Sequence, residues 1–355
     1  MAGIHQVLAA AAAGDAITNS ALEIRDILRT AGPSEVYARH ISNEMEDNVR
    51  RLSEFPHRGA GDVILYHASI GEPLVHAFLL SRREPVVLVY HNVTPASYFE
   101  RWDSKFAELL NLGRSELIEL RHRVAIAVAD SAFNAVELGA MGYDNVRIIP
   151  PVIDPYRLAS CTPAPSVMYH LEHGLGGQFA LYVGQLLPHK RPDILVHAMH
   201  IATTYLGLEM LLLFVGHFRL PAYRDVVVEM VRELNLPNVH FVGTVTSEEL
   251  AAFYARARAV VTASEHEGFC VPLVEAMAFG KPIIARACGA VPETLGDGGL
   301  LLPHDAGPAM YAEALAAVMD DQVHQELAAR ATRRVSDFQA GHAQSKLLSV
   351  LLEVV

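Results

Sequence analysis

The chain has 355 residues, of which 51% are hydrophobic and 19% are charged, and its formal net charge is −12 at pH 7. This length predicts two domains, and the composition excludes an intrinsically disordered protein. The acidic balance argues against a general nucleic-acid-binding protein, because such a protein needs a basic face that neutralises phosphates.

The positions of the cysteines and the length of the apolar runs indicate the cellular compartment in which the protein is expected. Cys161, Cys270 and Cys288 lie far apart and form no C-x-x-C pair, so a disulfide framework is not expected. No uninterrupted apolar run approaches the roughly 20 residues that cross a bilayer. We therefore expect a cytoplasmic protein, and a peripheral contact with the inner face of the membrane stays open.

Short runs rich in valine and isoleucine alternate with helix-length segments along both halves of the chain. This alternation predicts βαβ units and parallel sheets that helices cover on both faces. The strands predicted in the first half are 4–11, 36–40, 63–67, 86–91, 124–129 and 146–149. The strands predicted in the second half are 180–183, 210–215, 239–242, 259–262 and 282–285.

A proline-rich stretch separates the two halves and predicts an irregular linker over 150–177. His170 and His173 have the spacing of metal ligands on a helix, but they fall in this predicted linker, so a metal site is not expected there. The tail from 318 to 355 contains no proline and is predicted to be helical throughout. The predicted domains are therefore 1–160 and 161–335, followed by a helix over 336–355 that packs back on the first domain.

The sharpest motif is E-G-F-C-V-P-L-V-E-A-M-A-F-G-K-P over 267–282, which follows a predicted strand. A turn at Gly268 would lead into a helix that begins around Pro272, because proline suits the first helical turn. An anion such as a diphosphate binds favourably at such a helix start. The backbone N–H groups that would face this anion are those of Phe269, Cys270 and Val271.

The two glutamates of this motif, followed by A-M-A-x-G-K-P, resemble the pattern of the family 4 retaining glycosyltransferases. Segments 182–190, 238–245 and 148–154 and the pair Asp130-Ser131 resemble other parts of that family, so the resemblance covers almost the whole chain. It implies an α/β protein of the GT-B type, with two Rossmann-like doubly wound parallel-sheet domains facing a central cleft. The first domain would bind the acceptor, and the second would bind the nucleotide sugar.

Glu267 and Glu275 are the acidic candidates. Glu275 lies about one turn into the predicted helix, where its carboxylate could accept two hydroxyl donors from a ribose. Glu267 could meet hydroxyls of the transferred sugar. The alternative is that both are solvated surface acids, as most glutamates are. An acid at each end of a glycine turn in an apolar segment favours the functional interpretation.

A second motif follows the strand that ends at residue 183. Gly184 permits an unusual turn, and Lys190 and Arg191 precede a predicted helix, where two cations oppose the helix dipole unless an anion compensates them. An exposed Lys-Arg pair in a loop is the alternative. The resemblance implies that Lys190 stabilises charge on the leaving diphosphate. The family usually has arginine where this chain has Gln185, and Arg191 is the candidate replacement.

Three further residues complete the candidate site. Gly14 resembles the family's glycine loop beside the transferred sugar, although a plain strand-to-helix turn is an equal alternative. His91, at the end of a strand, resembles the family histidine near the sugar's hydroxymethyl group and the reaction centre, and a structural histidine is the alternative. Val245 lies in the segment that resembles the one under the nucleobase.

The resemblance implies transfer of a hexose with retention of configuration by a front-face route, with Glu267, Lys190 and His91 as the catalytic residues. No D-x-D occurs, so neither a metal ion nor any cofactor beyond the donor is expected. The expected donor is a UDP- or GDP-sugar, and the acceptor is a glycan, a lipid-linked sugar or a small molecule. The alternatives are a catalytically silent nucleotide-sugar-binding protein and a GT-B phosphorylase or epimerase.

Overall fold

The computed structural model describes residues 3–56, 62–175 and 177–354, and the chain divides into two units. The first unit comprises Met1–Ile153 together with Ala340–Val355, and the second comprises Asp154–Gln339. The chain thus enters the second unit a few residues before the boundary expected at 160. The segment beyond 340 belongs to the same unit as the N-terminus.

In the described residues, the first unit contains a seven-stranded parallel sheet with the strand order β3-β2-β1-β4-β5-β6-β7. Its strands are β1 (Ile4–Ala11), β2 (Val36–Ile41), β3 (Arg50–Arg51), β4 (Val63–Ala68), β5 (Val86–Tyr90), β6 (Val124–Ala129) and β7 (Val146–Ile148). Its helices are α1 (Ala16–Leu28), α2 (Pro73–Ser81), α3 (Ser104–Leu120), α4 (Ala132–Ala140) and α13 (Ala340–Leu352).

The centre of this sheet is buried on both faces. Every residue of β4 and of β5 is buried, as parallel strands between two helix layers require. The C-terminal helix α13 contributes Leu347 and Val350 to the cluster that contains Leu65 and Val87. Burial of these apolar side chains in one cluster stabilises the packing of the C-terminal helix on the first unit through the hydrophobic effect.

The second unit contains, in the described residues, a six-stranded parallel sheet with the order β10-β9-β8-β11-β12-β13. Its strands are β8 (Phe179–Val183), β9 (Leu211–Val215), β10 (Val239–Gly243), β11 (Ala259–Thr262), β12 (Ile283–Arg286) and β13 (Leu300–Leu302). Its helices are α5 (Pro165–His173), α6 (Pro192–Leu206), α7 (Pro221–Glu233), α8 (Ser247–Arg256), α9 (Val271–Ala278), α10 (Val291–Leu295), α11 (Pro308–Ala317) and α12 (Asp321–Arg334). The predicted arrangement of two Rossmann-like parallel-sheet units is confirmed.

Two predictions about segments outside the sheets were wrong. The proline-rich linker contains the helix α5, because Pro165 occupies its first turn, where a missing N–H costs nothing. His170 and His173 therefore lie on a helix and not in an irregular linker. Across the described ranges, no group of three or more His, Cys, Asp or Glu side chains could hold a metal ion.

The tail beyond 318 is not one continuous helix. The Asp320 carboxylate accepts hydrogen bonds from the backbone N–H groups of Gln322 and Val323, so it caps a new helix, α12. A 3-10 turn, Val335–Phe338, then separates α12 from α13. Within the part of the chain that the structure describes, no helix has both the length and the apolar character needed to span a bilayer.

Candidate functional site

Lys190 and Glu267, which the sequence assigns to two separate motifs, are in direct contact in the second unit. Lys190 ends a 3-10 turn that follows β8, and Glu267 lies in the connection between β11 and α9. Lys190 Nζ is 2.6 Å from Glu267 Oε1, and the Ser264 hydroxyl donates to the same oxygen at 2.6 Å. Strands β8 and β11 are neighbours, so the carboxyl ends of two adjacent parallel strands bring the pair together.

The contact sets the protonation state of Lys190. Burial by itself lowers the pKa of this ammonium group, but the Glu267 carboxylate outweighs burial, and the net effect is to raise the pKa. The Lys190 side chain is 23% exposed and that of Glu267 is 7% exposed. An ammonium group has three N–H donors, and the contact with Glu267 uses one of them. Lys190 is therefore a permanent cation that can contact a second anion at its exposed side.

The backbone after Glu267 has the geometry of a helix start. Cys270 is the N-cap residue of α9 and has a left-handed conformation with φ of 75°, which a non-glycine residue rarely adopts. Phe269 and Gly268 form the turn before it, and Val271 is the first helical residue. The first backbone N–H groups of a helix have no partner within the helix, so this turn can present them to an anion.

Contacts with the loop after β12 and with helix α10 hold this turn in place. The Ala290 N–H donates to the Glu267 carbonyl oxygen at 3.0 Å, and the Thr294 hydroxyl donates to the Phe269 carbonyl oxygen at 2.7 Å. Gly289 packs so closely that a Cβ atom there would lie 2.2 Å from the Glu267 carbonyl oxygen. The sequence motif did not reveal this second loop, which fixes the carbonyl side of the turn.

Glu275 lies one turn into α9, as predicted. The Tyr254 hydroxyl, on α8, donates to Glu275 Oε2 at 2.8 Å. Burial raises the pKa of Glu275, while the hydrogen bond from Tyr254 and the charge of Arg157 act in the opposite direction. Tyr254 thus orients the carboxyl group and occupies one of its oxygens, which leaves the other oxygen as an acceptor for a ligand hydroxyl.

Arg191 is paired with carboxylates of its own unit. Its guanidinium donates to Asp193, with one N–H to O distance of 2.8 Å, and also to Glu265. Glu265 Oε1 additionally accepts from Arg286 at 3.2 Å. These contacts tie the loop after β8 to the loop after β11. They also occupy the guanidinium, so the structure offers no support for Arg191 as the phosphate partner in place of Gln185.

The remaining predicted residues of the second unit lie in loops after strands. Gly184 follows β8 with φ of 138°, and its N–H donates to the Val215 carbonyl oxygen at 3.0 Å. A Cβ atom on Gly216 would lie 1.9 Å from the Gly184 carbonyl oxygen, so glycine is required where these two loops meet. Val245 lies between β10 and α8 and is half-buried.

Gly14 and His91 belong to the first unit, at the carboxyl ends of β1 and β5. Gly14 is exposed with φ of 76°, and the Asp15 side chain beside it caps α1 by accepting from the Thr18 N–H at 2.8 Å. The His91 ring is enclosed between Asp130, 2.7 Å from Nδ1, and His67, 2.8 Å from Nε2. Both ring nitrogens of His91 are thus already engaged. Sequence reasoning missed His67 as a partner of His91. The feature that could have indicated it is that His67 is a polar residue within an otherwise apolar predicted strand.

Residues 170–335 match the family model described as glycosyl transferases group 1. These residues contain the Lys190–Glu267 contact, the start of α9 and Glu275. The second unit belongs to the glycosyl transferases group 1. The match therefore includes both the sequence motif that predicted the family and the side chains that meet in the structure.

Two curated relatives are similar to this chain over about two thirds of its length. A D-inositol 3-phosphate glycosyltransferase of Frankia alni is 30% identical over 239 residues, which is 64% of this chain and 58% of the relative. A D-inositol 3-phosphate glycosyltransferase of Nocardia farcinica is 28% identical over 245 residues, which is 67% of this chain and 54% of the relative. The chain spans little more than half of the length of these two relatives.

A solved structure resembles this chain over nearly its full length. The crystal structure of HepE of Anabaena in complex with UDP-glucose superimposes with a TM-score of 0.79 and covers 99% of each chain at 17% sequence identity. At this identity the similarity establishes the fold. The GT-B class predicted from the sequence is confirmed.

Proposed function

We propose that this protein is a retaining glycosyltransferase that transfers a hexose from a nucleoside diphosphate sugar to an acceptor without a metal ion. The observation that carries this proposal is the contact between Lys190 and Glu267 beside the N-terminus of α9. It combines a permanent cation, a carboxylate and a helix start in one place. A diphosphate needs the first and the third of these groups, and sugar hydroxyls need the second.

The donor would lie along the connection between β11 and α9. Its diphosphate would contact Lys190 and the backbone N–H groups at the start of α9, at the positions of Phe269, Cys270 and Val271. The ribose hydroxyls would donate to Glu275, whose orientation Tyr254 fixes. Glu267 would accept hydroxyls of the transferred sugar, while its other contacts keep it in place.

The reaction is proposed as a front-face displacement. The acceptor hydroxyl oxygen forms a bond to the anomeric carbon as the bond from that carbon to the diphosphate oxygen breaks. The electron pair of the broken bond stays on the diphosphate, and a phosphate oxygen takes the hydroxyl proton. The protein contributes positioning and electrostatic stabilisation of the leaving group, chiefly through Lys190 and the α9 amides.

The identity of the donor and the acceptor follows from the relatives and stays a proposal. The HepE structure contains UDP-glucose, so UDP-sugars are the first donors to test, and GDP-sugars are the second. The curated relatives are named for D-inositol 3-phosphate, which makes that compound the first small-molecule acceptor to test. Glycan and lipid-linked acceptors follow it.

A reducing compartment is consistent with the thiols. Within the described residues Cys161, Cys270 and Cys288 are free cysteines, and the last two are buried. Burial raises the pKa of the Cys270 thiol well above its ordinary range, so this group is unreactive although it lies in the site. We propose a cytoplasmic location, with any contact with the inner membrane face supplied by a lipid-linked acceptor.

A thermal-shift screen of UDP-, GDP-, ADP- and dTDP-sugars tests the donor site, because a ligand that binds the folded state raises its melting temperature. The donor that shifts the Tm is then incubated with each acceptor, and NMR of the product gives its anomeric configuration. Retention with transfer to an acceptor supports the proposal. Inversion, a requirement for inorganic phosphate, or binding without any turnover would each overturn it.

A further inference from the structure

Four polar side chains form a buried hydrogen-bonded chain in the first unit. They come from β1, from β4 and from the residues just after β5 and β6, and they are Gln6, His67, His91 and Asp130. The distances along the chain are 2.9 Å from Gln6 Oε1 to His67 Nε2, 2.8 Å from His67 Nδ1 to His91 Nε2, and 2.7 Å from His91 Nδ1 to Asp130 Oδ2. Each of these contacts requires one proton between its two atoms, so the protons can be counted.

Gln6 determines which nitrogen of His67 carries a proton. The Gln6 amide nitrogen donates to the Ala21 carbonyl oxygen at 2.8 Å, which leaves the amide oxygen Oε1 facing His67. An amide oxygen only accepts hydrogen bonds, so His67 Nε2 is the donor in that contact. Burial, with the nearby charge of His91 as a smaller cause, lowers the pKa of His67 well below its ordinary value. His67 is therefore neutral, and its Nδ1 is an acceptor.

His91 must then supply the proton in the next contact. Because His67 Nδ1 accepts, His91 Nε2 has to carry a hydrogen atom. The two ring planes are parallel to within 4°, and the ring centroids are 5.1 Å apart while the facing nitrogens are 2.8 Å apart. These distances fit an end-to-end contact in which the N–H of one ring points along the lone pair of the other. On the opposite side of the ring, His91 Nδ1 faces Asp130 Oδ2 across a contact of 2.7 Å that also contains a proton.

The environment of Asp130 assigns that second proton to His91. The Asp130 side chain is 5% exposed, and within the described residues its Oδ1 atom has no hydrogen-bond partner. The proton between the two groups belongs on the more basic one, and imidazole is a stronger base than a carboxylate. The carboxylate that results is buried, so it requires a neighbouring cation. An imidazolium at His91 supplies this cation, and it satisfies both short contacts of the ring at the same time.

We propose that His67 is a positioning residue that holds His91 as an imidazolium against Asp130. The His91 side chain is 5% exposed, although the residue as a whole is half-buried, so its backbone is the part that faces outward. The locked ring therefore fixes the peptide at the end of β5. The consequence for catalysis rests on the proposed function and on the family resemblance that assigns His91 to the catalytic residues.

The first test is a ¹⁵N NMR spectrum of the full chain labelled at histidine, recorded at pH 7, with His91 assigned by its absence in His91→Gln. We expect both ring nitrogens of His91 to be protonated and His67 to carry its proton on Nε2 alone. A His91 ring with one unprotonated nitrogen would overturn the proposal. The spectrum does not depend on turnover, so it tests the protonation of His91 independently of the proposed transferase activity.

Substitutions at His67 test the positioning role. His67→Leu removes the acceptor, so we expect His91 to lose one ring proton and kcat to fall about tenfold, as for one lost charge-assisted hydrogen bond. His67→Asn places an oxygen where Nδ1 stands, so it should restore both the spectrum and kcat, even if His67→Leu fails to fold. His122→Asn, at an exposed histidine of the same unit, is the control. A kcat that falls equally in both His67 variants, or a doubly protonated His91 in His67→Leu, would refute the role.

Discussion

Lys190 Nζ and Glu267 Oε1 are 2.6 Å apart, although 77 positions separate the two residues in the sequence. The contact makes each residue the counter-charge of the other in a site that is largely closed to solvent. Removal of either partner leaves a charge without compensation, which costs more than the pair itself contributes. Substitutions that keep the shape of the side chain are therefore the informative ones.

Glu267→Gln tests the role of the carboxylate. The amide oxygen can still accept from Lys190 and Ser264, so the fold is expected to survive, but the charge that orients Lys190 and the acceptor for sugar hydroxyls are lost. We expect kcat to fall about 100-fold or more, the size seen when one preorganised electrostatic contact is removed. Steady-state transfer kinetics with the donor found by thermal shift measures this effect.

Glu313→Gln is the matched control, because Glu313 is an exposed glutamate of the same unit. Its kinetics should equal those of the wild type. Unchanged kinetics in Glu267→Gln as well would remove Glu267 from the catalytic residues, and a lost circular dichroism signal would show a structural role instead.

Much of this fold could be predicted from the sequence because its strands are buried on both faces. The strand predicted at 86–91 is apolar up to residue 90, and β5 follows this prediction to within one residue. Strands β3 and β13 were missed, because two or three residues are too few to show any periodicity. The helix α5 was missed because its flanking prolines predict a break as readily as they predict a helix start.

Glu275→Gln separates stability from function. Burial raises the pKa of Glu275 above its ordinary value of 4.5, so the folded state holds this proton more tightly than the unfolded state does. The contribution of protonated Glu275 to the stability of the folded state is therefore fully present below pH 4.5. It is lost as the pH rises through the pKa that Glu275 has in the folded state. Glutamine does not titrate, and its amide oxygen still accepts the hydrogen bond from Tyr254. We therefore expect the Tm of Glu275→Gln minus the Tm of the wild type to increase as the pH rises from 4.5 to 7.

The same substitution should weaken donor binding, because an amide accepts hydroxyl hydrogen bonds less strongly than a carboxylate. We expect the KM for the donor to rise about tenfold, which corresponds to about 1.4 kcal/mol. Melting curves at several pH values and donor titrations measure the two effects separately. A difference in Tm that does not change with pH would contradict the titration of Glu275.

The candidate site could be predicted in part. Short motifs identify Lys190, Glu267 and Glu275, because glycine turns and helix starts leave local patterns. The partners that orient them leave none: Tyr254 lies 21 positions before Glu275, and it looks like any helical tyrosine until α8 and α9 are seen together. His67 and Gln6 are 61 positions apart for the same reason. Contacts between residues that are distant in the sequence can be identified only when the three-dimensional arrangement of the strands and helices is known.

Arg191→Gly tests whether Arg191 replaces the arginine missing at position 185. Glycine suits the left-handed backbone at this position, where φ is 50°, so the backbone is not strained by the change. The guanidinium is already engaged with Asp193 and Glu265, so we expect the KM for the donor to change less than about twofold. Donor titration of Arg191→Gly and of Lys190→Ala, which should bind far more weakly, measures this.

Gln185→Arg is the complementary variant. A new guanidinium in this loop supplies a charge-assisted hydrogen bond to phosphate, so we expect the KM for the donor to fall about tenfold. If instead Arg191→Gly raises the KM about tenfold and Gln185→Arg has no effect, then Arg191 leaves its carboxylates and binds the diphosphate.

Gly289→Ala tests whether the neighbouring loop holds the catalytic turn. A Cβ atom at this position would lie 2.2 Å from the Glu267 carbonyl oxygen, and φ of 47° is unfavourable for alanine. The turn that carries Glu267 must move, so we expect a loss of at least about 2 kcal/mol in the free energy of unfolding together with a lower kcat. Gly177→Ala is the control, because a Cβ atom there meets no heavy atom within 4 Å. Thermal unfolding and transfer kinetics of both variants decide the matter, since a stable and fully active Gly289→Ala would show that Glu267 does not depend on this contact.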